Sequence, residues 1–185
     1  MDKLVELFCS VDDFFKEFLP AWKRRLLWQH PGKRLRDGRL SESEIATLII
    51  HFHQSPFKNF KHYYLDYVKK ELDFYFPSLV SYNRFIELIP SIMTPLCAYL
   101  KTRYVSGSGV QFIDSTCISV CHYKRISGHK VFKDIAAIGK STKGWFYGFK
   151  LHVICDHTGE LVNCKTALTH QLTKPTHFSH DLSLP

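Results

Sequence analysis

The chain has 185 residues, 45% hydrophobic and 15% aromatic, enough for one or two small domains with a real core and too apolar for a disordered protein. No apolar run approaches the roughly 20 residues that span a bilayer, so a membrane protein is not expected. Lys and Arg number 25 against 17 Asp and Glu, a formal charge of +8 that suits a nucleic-acid partner and a soluble basic protein equally well; the placement of the cations has to decide.

The first hundred residues read as helices. The opening MDKLVELFCSVDDFF has acids within its apolar stretch and no small-residue cleavage site, which is unlike a secretory signal. Leu4, Leu7, Phe8, Val11, Phe14, Phe15 and Phe18 recur at helical spacing, and Pro20 is expected to close that helix. A basic stretch with two Trp follows, AWKRRLLWQHPGKRLRDGR, with turn signals at Pro-Gly and Asp-Gly. Ser41 and Glu44 form a capping box that opens SESEIATLIIHFHQ. A third helical pattern covers NFKHYYLDYVKKELDFYF and stops before Pro77. Ser81 is placed to cap a last one, which Pro90 and Pro95 should bend or divide.

Ser106-Gly107-Ser108-Gly109 then reads as a flexible joint between domains, and beyond it the period falls to two. Val110–Cys121, VQFIDSTCISVC, is strand-like. Trp145, Tyr147, Phe149, Leu151, Val153 and Cys155 make one face of a second strand, with Lys150 and His152 on the other. Asp156-His157-Thr158-Gly159 signals a turn, and 160–168 can return as a third, antiparallel strand. The fold class expected is α+β: a helical domain over 1–105, then three antiparallel strands over 110–169.

Asp114 is the one charge in the first strand, on the same face as Val110, Phe112, Thr116, Ile118 and Val120. An ionised carboxylate on an apolar face is costly unless compensated. A hydrogen bond to Ser115 or Thr116 is the bland compensation; a divalent cation held on a rigid strand is the functional one. Between the first two strands, Lys124, Arg125, Lys130, Lys133, Lys140 and Lys143 alternate with small, Gly or aromatic residues, which suits a phosphate backbone. Cys117 and Cys121 would lie on one strand face roughly 13 Å apart at ~3.3 Å per residue, too far to share a zinc ion. They are expected to be small buried thiols, reduced like the other four in a chain without an export signal. His152 is the histidine expected nearest the Asp114 site.

FIDST, followed by HKVFKDIAAIGKSTKGWFYGFKLHVICDHTGELVNCKTALT, resembles the DDE transposases of bacterial insertion sequences over about residues 110–169, with the helical N-terminal part resembling their DNA-binding region. The resemblance implies an RNase H-like catalytic domain, of which the three strands are the beginning. It makes Asp114 the first carboxylate of the DDE triad. It also implies two Mg²⁺ ions for phosphodiester cleavage and strand transfer, and double-stranded DNA at the element's ends as substrate. A second copy of the chain is an additional candidate partner, and a cytoplasmic, DNA-associated location follows.

Where the family has a second Asp on a strand parallel to the first and a Glu on a later helix, residues 170–185 offer only Asp181, in a segment that matches neither motif and reads as an unrelated tail. The reading is therefore a transposase cut short and inactive alone. The alternative is a DNA-binding remnant that recognises element ends and inhibits the full-length enzyme. Its surface would include Lys23, Arg24, Arg25, Lys33, Arg34, Arg36 and Arg39.

Overall fold

The computed structural model describes residues 3–29, 32, 38–107, 109–133, 135–141 and 144–167. They form two compact units, Met1–Arg103 and Tyr104–Pro185, of mixed helix and antiparallel sheet.

The first unit is helical. Its opening helix α1, Lys3–Gln29, does not stop at Pro20 but continues for nine more residues. Pro20 removes one intrahelical hydrogen bond. The part beyond it is held by side chains: Trp22 stacks on Phe18 with centroids 6.2 Å apart, and Lys23 pairs with Glu42 at 2.7 Å. Helix α2, Glu42–Gln54, begins with the expected capping box. The Glu44 amide donates to Ser41 Oγ at 3.2 Å, and the Ser41 amide donates to Glu44 Oε2 at 2.7 Å.

The third segment is helical but irregular. Short α-turns Phe60–His62 (α3) and Lys69–Glu71 (α4) flank a π-helical turn, Tyr63–Val68. Tyr63 and Tyr64 are adjacent, bulky and both fully buried, and the wider turn lets two consecutive rings face inward. Their hydroxyls are satisfied, Tyr63 by His51 Nδ1 at 2.8 Å and Tyr64 by donating to the Val80 carbonyl at 2.8 Å. The last helix, α5 (Tyr82–Thr102), is capped by Ser81 Oγ and runs on undivided through Pro90 and Pro95. Leu4, Val11, Phe15, Leu48, Tyr63, Tyr64, Val68, Phe85 and Ile92 make one core.

The second unit is a sheet. The chain joins it at Tyr104, whose hydroxyl lies 2.8 Å from Cys164 Sγ, and at Val105, whose amide donates to the Leu161 carbonyl. Strand β1 (Gln111–Cys121) pairs antiparallel with β3 (Gly144–Asp156) from Gln111↔Asp156 to Ser119↔Gly148. The other edge of β3 takes β2 (Ala137–Ser141) at its start and β4 (Leu161–Ala167) along the rest. The expected three strands are β1, β3 and β4; β2 is an addition, and it puts Lys140 on a strand rather than in the loop. Its five residues, AIGKS, are too short and too mixed to show a period.

A bulge interrupts β1 between Ser119 and Cys121, opposite Gly148. The strands there approach so closely that a Cβ at position 148 would lie 2.0 Å from the Ile118 carbonyl oxygen and 3.1 Å from the Val120 nitrogen. Only glycine fits.

Burial is concentrated in β3, at Phe146, Tyr147 and Ile154. Strand β1 is exposed on both faces: Phe112 is 60% and Ile113 65% exposed, although they point to opposite sides.

Candidate functional site

Asp114 is the fourth residue of β1, where the ladder with β3 fixes its direction. Directly opposite is Val153, so Asp114 shares its face with Val153, and through β4 with Cys164. The expected face is correct, but its cost is not. Asp114 is exposed, because among the described residues nothing packs over β1, and its Oδ1 accepts from the Ser115 amide at 2.7 Å. Water and that one amide compensate the charge.

Two other expectations are corrected by the register. His152 pairs with Ser115, one step from Asp114, and therefore projects from the opposite face of the sheet. Cys117 lies opposite Lys150 and Cys121 opposite Tyr147, so the bulge puts the two thiols on opposite faces instead of one. Both are free but only half-buried, not buried as expected, since β1 is uncovered among the described residues; Cys155 and Cys164 are likewise half-buried and free.

Two further carboxylates of this unit are described. Asp156, at the end of β3, pairs with Gln111 and so lies on the face opposite Asp114. It is committed to its turn: Oδ1 accepts from the Thr158 hydroxyl at 2.6 Å and from the amides of Thr158 and Glu160 at 2.9 Å each. The Thr158 hydroxyl, helped by these amides, holds its carboxyl below the usual range. Glu160 sits in the same turn, ahead of β4. No group of three or more His, Cys, Asp or Glu among the described residues could hold a metal ion. Among the described residues, the donor set around Asp114 does not fit a Mg²⁺ pair.

The cations divide similarly. Lys33, Arg34, Arg36, Lys143 and the 170–185 tail with Asp181 lie outside the described residues. Arg24, Arg25 and Arg39 are exposed, Arg24 Nε donating to the Pro20 carbonyl at 3.3 Å, whereas Lys23 is engaged by Glu42. In the second unit Lys124, Arg125, Lys130, Lys133 and Lys140 are all exposed and have no ion-pair partner among the described residues.

Sequence reading missed how the far end of β1 is shaped. Past the bulge the chain makes a 3₁₀ turn, Tyr123–Arg125, and a second turn in which the Gly128 amide donates to the Arg125 carbonyl. Lys124, Arg125, Ser127 and His129 line a hollow of about 540 Å³ there. A neighbouring hollow of about 410 Å³ is lined by Ser119, His122, Trp145 and Phe146, and Cys121 borders both. The signal was present in the sequence as Ser-Gly-His between Arg125 and Lys130, but what it faces depends on pairing across the sheet.

Residues 105–182, fewer than half of the 185, match the family model described as a transposase DDE domain, and that match supports a DDE transposase. No curated protein and no solved structure matches the chain. No helix among the described residues is long and apolar enough to cross a membrane.

Proposed function

We propose that the chain is an insertion-sequence transposase whose second unit is the opening part of an RNase H-like DDE domain, and that it engages double-stranded DNA at the element's ends. One observation carries this reading: Asp114 projects from the first strand of an antiparallel sheet, inside the segment that matches a transposase DDE domain. Transposases of this kind cleave phosphodiester bonds with divalent metal ions held by several converging carboxylates. Asp114 is the only acid on its sheet face among the described residues. No catalytic step is therefore assigned to this chain, which on this reading does not cleave DNA by itself. The exposed Phe112, Ile113 and Ile118 of β1 support a sheet that further layers cover.

What the chain's own residues can do is bind. Five exposed cations between β1 and the start of β3, with no ion-pair partner among the described residues, are suited to neutralise DNA phosphates, and each such contact steepens the salt dependence of binding. The exposed Arg24, Arg25 and Arg39 favour a second reading, a DNA-binding remnant that recognises element ends and inhibits the full-length enzyme. Binding of the purified chain to terminal and to scrambled duplexes, each at two salt concentrations, tests both readings. Affinity that falls steeply with salt and favours the terminal sequence supports end recognition. Equal, weak affinity for both duplexes removes it.

A further inference from the structure

Beyond duplex contacts, the end of β1 has the parts of a site for a single nucleotide. The basic hollow holds two cations, Lys124 and Arg125, together with the Ser127 hydroxyl and His129. His129 is kept in place by packing, its ring stacked on Phe132 with centroids 5.8 Å apart and edge-on to Tyr147. Its aromatic neighbour holds Trp145, an indole 69% exposed at the start of β3. Lys140, opposite Trp145 in the β2–β3 ladder, places its ammonium 5.9 Å from the ring centroid, a third cation beside the pair of hollows. No Asp or Glu lines either hollow among the described residues. An exposed indole with cations around it and, among the described residues, no acid lining the hollows matches a ligand with a flat π-face and a negative charge.

We propose that this double hollow holds one unpaired nucleotide of a DNA strand, its phosphate against Lys124, Arg125 and Ser127 and its base stacked on Trp145. The site is distinct from the Asp114 position, seven residues away along β1, roughly 23 Å at ~3.3 Å per residue. A paired base is inaccessible to the indole inside a duplex, so the site selects a base that is already unstacked. The proposal rests on the reading of the chain as a DNA-binding transposase and adds which base state it prefers.

The test is fluorescence anisotropy of the full chain with three labelled probes of common sequence: a single strand, a blunt duplex, and a duplex with one unpaired base. Wild type should prefer the probes with unpaired bases. Trp145→Ala should weaken those by about tenfold or more, the range expected for loss of one stacked base, while the blunt duplex changes less than twofold. Trp145→Phe should recover most of the loss, which a folding defect would not allow. Lys124→Gln with Arg125→Gln should weaken all three probes and flatten their salt dependence. Unchanged single-strand affinity in Trp145→Ala, or an equal loss on every probe, overturns the nucleotide site while leaving DNA binding intact. Failure of wild type to bind any probe at low salt overturns both.

Discussion

Replacing Gly148 by Ala perturbs the point where β1 and β3 come closest. The new Cβ would sit 2.0 Å from the Ile118 carbonyl oxygen, whereas a carbon and an oxygen in ordinary contact stay about 3.3 Å apart. Both groups are main chain, so no side chain can swing away, and the strands must separate by roughly 1.3 Å. A hydrogen bond of about 2.9 Å does not survive that displacement. Loss of two ladder bonds at about 1 kcal/mol each, with about 1–3 kcal/mol of overpacking, gives about 3–5 kcal/mol. Tyr104–Pro185 as a unit has a stability of about 4–12 kcal/mol on a per-residue scale, so the substitution removes a large part of it. Amide hydrogen exchange read separately over β1, β3 and the helical unit is the assay. Protection in β1 and β3 should fall by about a hundredfold or more, with the helices unchanged. Gly144→Ala is the control: its φ of 114° disfavours a side chain, but no atom lies within 4 Å, so about 1–2 kcal/mol is expected. A Gly148→Ala protein as protected as wild type, or less affected than Gly144→Ala, refutes the close-approach argument.

Ser41→Ala removes the hydroxyl that accepts the Glu44 amide and should lower the stability of the helical unit by about 1 kcal/mol in thermal unfolding, without altering exchange in the sheet. The turn closed by Asp156 should loosen in acid. Its folded carboxyl is held below the ordinary value, so its stabilising contribution is complete above the unfolded pKa and is lost as pH falls below about 4 through the folded pKa. Exchange rates of the Thr158 and Glu160 amides between pH 6 and pH 3, corrected for intrinsic rates, check this; Asp156→Ala should abolish the extra acid sensitivity.

Legibility in the sequence followed the range of the interactions. The Ser41–Glu44 box and the Ser81 cap act over three residues and are readable directly. The strands β1, β3 and β4 show in a two-residue period because side chains alternate locally. Pro20 misleads because contacts from elsewhere, among them Glu42 on Lys23, sustain the helix past it. The π-turn at Tyr63–Val68 depends on a core that must take two adjacent Tyr rings, which no local pattern encodes. At the candidate site, the face of Asp114 follows from alternation, but its exposure does not, since that depends on whether another layer covers β1. The bulge at Ser119–Cys121 and the register Ser115↔His152 are properties of the strand pair; they decide that His152 faces away from Asp114 and that Cys121 is not where alternation places it.

The reading proposed above is that Asp114 is the first carboxylate of a DDE site, and among the described residues no second acid shares its sheet face. The direct measurement is Mg²⁺-dependent nicking of the element's terminal DNA by the purified chain and by Asp114→Asn. Nicking at background for both proteins is the predicted result. Nicking by the wild-type chain that Asp114→Asn abolishes would contradict it, because Asp114 would then have found its partner carboxylates within these 185 residues.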